Sequence, residues 1–168
     1  MTIHTGRLLI RPLLEEDSKF MFELLNTDDW LKYIGNRNIQ SEREALAYIK
    51  NVNQINKESS GNIWTVKLIG TNKDIGIITF IHRDYLDYND IGFAFLPAFY
   101  NKGYAYEATK AVLIHLVEHR SVKTVYAITL PENRSSIKLL EKLGLSFERI
   151  LERNDEKLHL YIASNEYK

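Results

Sequence analysis

The hydrophobic pattern of this chain alternates between the two-residue spacing of strands and the three-to-four-residue spacing of helices. Short apolar runs rich in β-branched and aromatic residues predict seven strands. They cover residues 7–11, 63–69, 75–81, 90–96, 122–130, 146–151 and 158–163. One-sided apolar stripes predict helices that start near residues 15, 41 and 104, and a shorter helix follows residue 133. The chain therefore mixes both element types from end to end.

Capping residues mark several of the predicted helix boundaries. Ser41 and Glu44 have the spacing of a capping box ahead of the second helix. Gly144 follows the short helix where a left-handed C′ residue belongs. Leu145 would then cover Leu140 in a Schellman motif. The short helix should consequently end sharply before the strand at 146–151.

The order of the elements predicts the fold class. Strands at 63–69, 75–81 and 90–96 follow each other through short turns, so they should pair antiparallel. The strand at 90–96, the helix from residue 104 and the strand at 122–130 form a strand–helix–strand unit. Its two strands should be parallel with a right-handed crossover. We expect an α/β (mixed α+β) fold: one domain over residues 1–168, a mostly antiparallel sheet of about seven strands with a central parallel pair, and helices on both faces.

Composition narrows the functional classes. The chain has 168 residues, which suits one domain. Its 22 Lys+Arg balance 22 Asp+Glu, so no basic surface for nucleic acid is expected. No apolar run has membrane-spanning length, and the N-terminal residues lack the apolar core of a signal peptide. We therefore expect a cytoplasmic protein without membrane contact. With no cysteine there is no disulfide and no thiolate ligand or nucleophile.

The stretch Phe99–Ala108 carries the strongest chemical signal. It connects a strand stopped by Pro97 to a helix beginning near Tyr104, with Gly103 in the turn. Unpaired N–H groups and the positive end of the helix dipole meet there, which favours an anion such as phosphate. Neither G-x-G-x-x-G nor G-x-x-x-x-G-K-[ST] is present, so dinucleotide and Walker-type sites lack their motif. A glycine turn that only starts a helix is the alternative.

The spacing Tyr100-x-x-Gly103-x-Ala105, followed by Glu107-Ala108, resembles the pyrophosphate-binding turn Gln/Arg-x-x-Gly-x-Gly/Ala of the GCN5-related N-acetyltransferases (GNAT). The likeness is closest to the RimJ/RimL ribosomal-protein acetyltransferase branch, where an aromatic residue often replaces Gln/Arg. Two further segments match that branch in the right order. They are Thr5-Gly6-Arg7-Leu8 and Asn133-x-x-Ser136 with Leu143-Gly144-Leu145.

Two residues depart from the family pattern. Leu145 replaces a usual Phe; it is apolar as well, so the change affects packing more than function. Leu140 stands where many members carry a Tyr that acts as general acid. This chain therefore lacks that acid.

The resemblance implies acetyl-coenzyme A as donor and a primary amine as acceptor, joined by direct attack in a ternary complex. A protein or peptide N-terminal α-amine is the leading acceptor. A small-molecule amine (polyamine, amino acid or drug) is the alternative. A non-catalytic acyl-coenzyme A-binding module is a further one, because Leu140 is not a Tyr. Some relatives pair through sheets or helices, so a homodimer is left open.

The resemblance also assigns cofactor contacts. The central parallel strands should splay, which leaves backbone groups of Phe93, Phe95 and Leu96 free to pair with the pantetheine arm. An N–H near Phe95 or Leu96 would polarise the thioester carbonyl. The pyrophosphate would lie on backbone N–H groups of the turn, namely Lys102, Gly103, Tyr104 and Ala105. Close approach at Gly103 requires a positive φ there.

Asn133 is predicted to contact the cofactor, and the structural alternative is that it only caps the following helix. Ser136 is expected to contact the cofactor and to protonate the departing thiolate, although a thiol with a reference pKa of about 8.5 needs modest help. The alternative is that Ser136 is only a polar residue in the first turn of the helix.

The general base stays open between Asp90, acting through water, and His82. The alternative for Asp90 is an acidic surface residue at the edge of a strand, and the alternative for His82 is an exposed loop histidine without a catalytic role. An α-amine, with a reference pKa of about 7.7–8.0, needs less help than lysine at about 10.4. His115 and His119 have metal-like spacing but no further ligand beside them, so no metal is expected. Acceptor specificity should lie in the loops at 26–39 and 84–89.

Overall fold

The computed structural model describes residues 1–164 and contains one eight-stranded sheet with the strand order β1-β2-β3-β4-β5-β6-β8-β7. All neighbouring strands are antiparallel except β5 and β6. The strands are β1 (Ile3–His4), β2 (Leu8–Pro12), β3 (Asn62–Leu68), β4 (Lys73–Ile81), β5 (Asp90–Phe95), β6 (Thr124–Thr129), β7 (Ser146–Arg153) and β8 (Glu156–Ser164). The predicted mixed sheet with one central parallel pair is confirmed. The additional strand, β1, is too short to show a period in the sequence.

Five α-helices accompany the sheet within the described residues. They are α1 (Ser18–Leu25), α2 (Asp28–Tyr33), α3 (Glu42–Ser59), α4 (Tyr104–Arg120) and α5 (Arg134–Lys142). Helix α4 starts at Tyr104 as predicted. The interpretation of residues 26–39 as a loop is wrong for its first half, because α2 lies there. Thr27 caps α2 by accepting a hydrogen bond from the N–H of Trp30 at 3.4 Å.

Helices cover both faces of the sheet, as predicted. Successive side chains of a strand point to opposite faces, and Ile77 and Ile78 of β4 accordingly enter different apolar clusters. Helices α4 and α5 pack on the cluster that contains Ile78. Its buried members include Leu8, Val66, Phe95, Val112, Leu116 and Leu140. Helices α1, α2 and α3 pack on the cluster of Ile77, whose buried members include Met21, Leu24, Trp30, Ile49 and Leu96.

The parallel pair β5–β6 separates after a single point of contact. Asp90 is opposite Tyr126, and the N–H of Tyr126 donates to the carbonyl of Asn89 at 3.0 Å. By contrast, β5 pairs with β4 along six positions. Beyond Asp90 the two strands therefore form a V that opens toward their carboxyl ends. The predicted splay is confirmed.

A buried ion pair ties the end of β2 to the start of α1. The carboxylate of Asp17, 2% exposed, accepts two hydrogen bonds from Arg11 at 2.7 and 2.8 Å. It also accepts from the N–H of Leu14 at 2.9 Å and from the hydroxyl of Thr65 at 3.0 Å. Burial raises the pKa of Asp17, but Arg11 and the other donors outweigh it, so the pKa lies below the ordinary value.

Helix α5 ends in the predicted Schellman motif. Gly144 has φ +90°. Its N–H donates to the carbonyl of Glu141, and the N–H of Leu145 donates to the carbonyl of Leu140, both at 3.0 Å. Leu140 and Leu145 are both buried in the core. This confirms the predicted role of Gly144 and shows that the side chain of Leu140 belongs to the core.

Candidate active site

The turn between β5 and α4 has the geometry of an anion site. Gly103 is the N-cap of α4 with φ +78°, and no side chain caps this helix end. The first three N–H groups of α4, on Tyr104, Ala105 and Tyr106, donate to no acceptor within residues 1–164. These free donors coincide with the positive end of a 17-residue helix. The positive φ predicted for Gly103 is confirmed.

Residues from the connection between β1 and β2 hold this turn through a hydrogen-bond network. The carboxylate of Glu107, on the first turn of α4, accepts from the hydroxyl of Thr5 at 2.5 Å, and from the N–H and Nε of Arg7 at 3.1 and 2.7 Å. The guanidinium of Arg7 also donates to the carbonyl of Lys102 at 2.9 Å and lies 4.5 Å from the ring centre of Tyr104. Sequence reasoning matched both segments to one family pattern but missed that they contact each other.

The charge state of Glu107 agrees with this network. Partial burial raises the pKa of Glu107, but hydrogen bonds from Thr5 and Arg7 outweigh it and bring the pKa below the ordinary value. Glu107 is therefore an anion at neutral pH. It holds Arg7 against the turn.

The side chain of Lys102 bends back over the short 3-10 turn Pro97–Phe99 that precedes it. Its Nζ donates to the carbonyl of Ala98 at 3.0 Å and lies 5.7 Å from the ring centre of Phe99. The ammonium group thus stays beside the turn and supplements its positive potential.

Backbone polarity along β5 decides which groups face the open V. The N–H of Leu96 donates to the carbonyl of Ile75 on β4, at 2.9 Å. Because N–H directions alternate along an antiparallel strand, the N–H groups of Phe95 and Phe93 point away from β4 and toward the V. The free N–H predicted at Leu96 is therefore wrong, since β4 satisfies it. Phe95 keeps that predicted role.

Across the V, the start of α5 presents two polar side chains. The Oδ1 of Asn133 accepts from the N–H of Ser136 at 3.3 Å and from the hydroxyl of Ser135 at 3.2 Å. Asn133 is thus the N-cap, which was its structural alternative. Within the described residues its amide NH2 and the hydroxyl of half-buried Ser136 have no hydrogen-bond partner. Because β5 and β6 are parallel, this helix start and the Gly103 turn lie at the same edge of the sheet.

The two candidate bases occupy different surroundings. Asp90 lies at the closed end of the V with a 5% exposed side chain, and its Oδ1 accepts from Nε of Arg83 at 2.6 Å. Burial raises the pKa of Asp90, and Arg83 opposes this rise only in part. His82 is exposed, with its Nε2 3.8 Å from a carboxylate oxygen of Asp84. The sequence analysis did not identify Arg83 as the partner of Asp90.

Tyr100 occupies the position held by Gln or Arg in the usual turn pattern. Burial raises the pKa of Tyr100, and the nearby carboxylate of Asp29 on α2 raises it further. The start of α2 therefore lies close to the turn. The acid pair at the start of α2, Asp28-Asp29 after Thr27, was the signal in the sequence for this helix.

None of the helices in residues 1–164 combines the length and apolar character that crossing a membrane requires. Nor do the His, Asp and Glu side chains of these residues form a group of three that could hold a metal ion. The rings of His115 and His119 pack on each other with centres 4.6 Å apart. The arrangement around the V is instead suited to a phosphate-bearing ligand with an extended polar arm.

Comparisons with known sequences and structures connect the chain to one protein family. A sequence profile described as an acetyltransferase (GNAT) domain matches residues 7–146. The uncharacterized N-acetyltransferase YnaD of Bacillus subtilis is 31% identical over 150 residues, which are 88% of this chain and 84% of that protein. The crystal structure of an acetyltransferase (GNAT family) from Bacillus anthracis superposes with a TM-score of 0.80 at 28% identity and covers 98% of each chain.

A structure of RimL, a ribosomal L7/L12 α-N-protein acetyltransferase in complex with coenzyme A, superposes with a TM-score of 0.81. The match covers 98% of each chain at 13% identity. At that identity the likeness establishes the fold alone.

Proposed function

This chain belongs to the acetyltransferase (GNAT) family, and from this premise we propose that it acetylates the α-amine of a protein or peptide N-terminus, as in the RimJ/RimL branch. It is an N-acetyltransferase that uses acetyl-coenzyme A as donor and an amine as acceptor. The α-amine and the branch are the proposed parts.

The observation that supports binding of acetyl-coenzyme A is the V between β5 and β6. The strands share a single pair, Asp90 with Tyr126, while an edge of β5 keeps free N–H groups. One mouth of the V has the Gly103 turn and the other has Ser136. An amide-rich arm can pair with such an edge as an added strand, and its phosphates can lie on the turn.

The residues present fit coenzyme A. Three unpaired N–H groups at the start of α4 match phosphate oxygens, and Gly103 leaves the cradle free of a Cβ. We assign the pyrophosphate to Lys102–Ala105 and the arm to backbone groups of Phe93 and Phe95. The amide NH2 of Asn133 would donate to the arm from the opposite side. The bound acetyl thioester supplies the electrophilic carbonyl, which the N–H of Phe95 would polarise.

Proton transfer favours an α-amine as acceptor. Asp90 is buried and held by Arg83, and His82 lies on an exposed loop, so within residues 1–164 neither candidate is an unengaged base at the centre of the V. At neutral pH an α-amine with a reference pKa of about 7.7–8.0 is partly deprotonated, whereas a lysine at about 10.4 is almost entirely charged. The weaker the base, the more the site discriminates in favour of α-amines.

Among the side chains, we assign Ser136 the role of donating a proton to the departing thiolate, because its hydroxyl is unengaged. Asp90, acting through water, and His82 are the two candidates for the base. The pH dependence of turnover in D90N and H82Q distinguishes them, because loss of the true base removes the acid limb of the profile. If both variants keep that limb, neither residue is the base.

The acceptor is tested with pairs of synthetic peptides that contain one lysine and vary in their first residue. One member of each pair has a free N-terminus and the other an acetylated one. Thiol release and product mass are measured with acetyl-coenzyme A. We expect acetylation of the free N-terminus only. Acetylation of lysine in the blocked peptides at an equal rate would contradict the α-amine, and turnover with spermidine but no peptide would favour the small-molecule alternative.

The single domain over residues 1–168, the cytoplasmic location and the homodimer remain predictions. Residues 165–168 of that domain lie outside the described part of the chain. Sedimentation of the purified protein at several concentrations tests the homodimer.

A further inference from the structure

A groove of about 430 Å³ runs along α4, beginning at the Gly103 turn. Apart from Gly103, none of its lining residues belongs to the site assigned to the pyrophosphate and the arm. The residues that line it are Arg7, Gly103, Tyr106, Glu107, Lys110, Ala111 and Ile114. A ligand whose phosphates lie on the turn would have this groove directly beside it.

Two lysines from different helices converge beside this groove on Tyr106. The Nζ of Lys142, at the end of α5, lies 4.5 Å from the ring centre of Tyr106, and the Nζ of Lys110, on α4, lies 5.6 Å away. Neither lysine forms an ion pair within residues 1–164. Arg7, by contrast, is committed to Glu107. The two ammonium groups thus carry positive charge that no carboxylate of residues 1–164 pairs with.

We propose that Lys110 and Lys142 bind the 3′-phosphate on the adenosine of coenzyme A, with Tyr106 positioning their ammonium groups. This rests on the proposed function, because it extends the same co-substrate beyond its pyrophosphate. The 3′-phosphate and the pyrophosphate are attached to one ribose, so the groups that bind them must lie close together. The side chain of Lys110 meets this condition because helical side chains lean toward the N-terminus, here toward Gly103.

Charge explains why two lysines are needed. A phosphate monoester carries a charge of about −1.5 to −2 at pH 7. Two ammonium groups neutralise this charge, whereas a single one would leave part of it uncompensated. The alternative is that both lysines are solvated and only cover the ring of Tyr106, so that the groove binds no ligand. That alternative predicts no preference for a 3′-phosphate.

The test compares coenzyme A with dephospho-coenzyme A, which lacks only the 3′-phosphate, by isothermal titration calorimetry. The proteins are the wild type, the double variant K110Q/K142Q, and K123Q, which removes one lysine beyond the opposite end of α4. Thermal unfolding without ligand verifies that each variant is folded. Both lysines reach solvent, so their replacement should leave the core unchanged.

We expect the wild type and K123Q to bind coenzyme A about tenfold more tightly than dephospho-coenzyme A, a difference of about 1.4 kcal/mol. In K110Q/K142Q the two ligands should bind equally, and added salt should shrink the wild-type ratio. A ratio of one in the wild type, or an unchanged ratio in the double variant, overturns the 3′-phosphate site while coenzyme A still binds. Failure of both ligands to bind the wild type would instead contradict the proposed function itself.

Discussion

Replacing Gly103 by alanine should separate the conformational role of this glycine from its role at the ligand. A residue with a Cβ in the left-handed region is strained by about 1–2 kcal/mol. Gly103 has φ +78°, and an added Cβ would lie 3.4 Å from the guanidinium of Arg7, which is an ordinary contact. The expected loss in the free energy of unfolding is therefore the backbone strain alone, about 1–2 kcal/mol.

The chain offers a matched control in Gly144. It also has a positive φ, +90°, and an added Cβ would meet nothing within 4 Å. G144A should therefore lose the same stability as G103A. Only G103A places a methyl group in the cradle and shifts the N–H groups of Tyr104 and Ala105, so only G103A should lose affinity for acetyl-coenzyme A. Displacing one charge-assisted hydrogen bond of about 1.5–3 kcal/mol would weaken binding by about tenfold or more.

Urea unfolding measures the stability of both variants, and titration calorimetry measures their affinity for acetyl-coenzyme A. Wild-type affinity in G103A would refute the assignment of this turn to the pyrophosphate. Equal weakening in G103A and G144A would refute it as well, because general destabilisation would then explain the effect.

Three further variants probe the network, the chemistry and the core. E107Q removes the anion that holds Arg7, so calorimetry should show several-fold weaker binding of acetyl-coenzyme A; unchanged binding would make the network structural only. S136A should lower turnover by about 100-fold, the lower end for general acid catalysis because a thiolate needs only modest help, with unchanged affinity; equal rates would remove Ser136 from the mechanism. D17N leaves Arg11 buried without its counter-ion and should cost about 3 kcal/mol in urea unfolding at pH 7. Folding lowers the pKa of Asp17. Its contribution to the free energy of unfolding is therefore full above the unfolded pKa of about 3.9 and is lost as the pH falls through the folded pKa. D17N should not show this loss of stability at low pH.

The sequence predicted correctly those features that depend on a short segment or on the order of the elements along the chain. Gly103 and Gly144 were placed correctly because a helix start or end needs a particular φ within a few residues. The parallel β5–β6 pair followed from the strand–helix–strand order. The N-cap position of Asn133, its structural alternative, followed from a short pattern at a helix start, whereas the cofactor and catalytic roles of Asn133 and Ser136 stay predictions. Each of these inferences depends on residues adjacent in the chain.

The remaining features depend on contacts between distant segments, which no local pattern contains. Arg7 and Glu107 are 100 positions apart, and only the packing of β2 against α4 brings them together. The N–H of Leu96 is satisfied by Ile75 because of the strand register, which the sequence does not determine. Helix α2, with six residues, is too short to show an apolar period.

The most direct measurement of the central claim is thermal unfolding of the purified protein with acetyl-coenzyme A, with ATP and NAD as controls. Ligand at a hundred times its dissociation constant should add about 2.7 kcal/mol to the stability of the wild type. We predict this shift for acetyl-coenzyme A alone, and a smaller shift in G103A at the same ligand concentration. No shift at millimolar acetyl-coenzyme A, or equal shifts with ATP and NAD, would contradict the assignment of the β5–α4 turn and the V to this co-substrate.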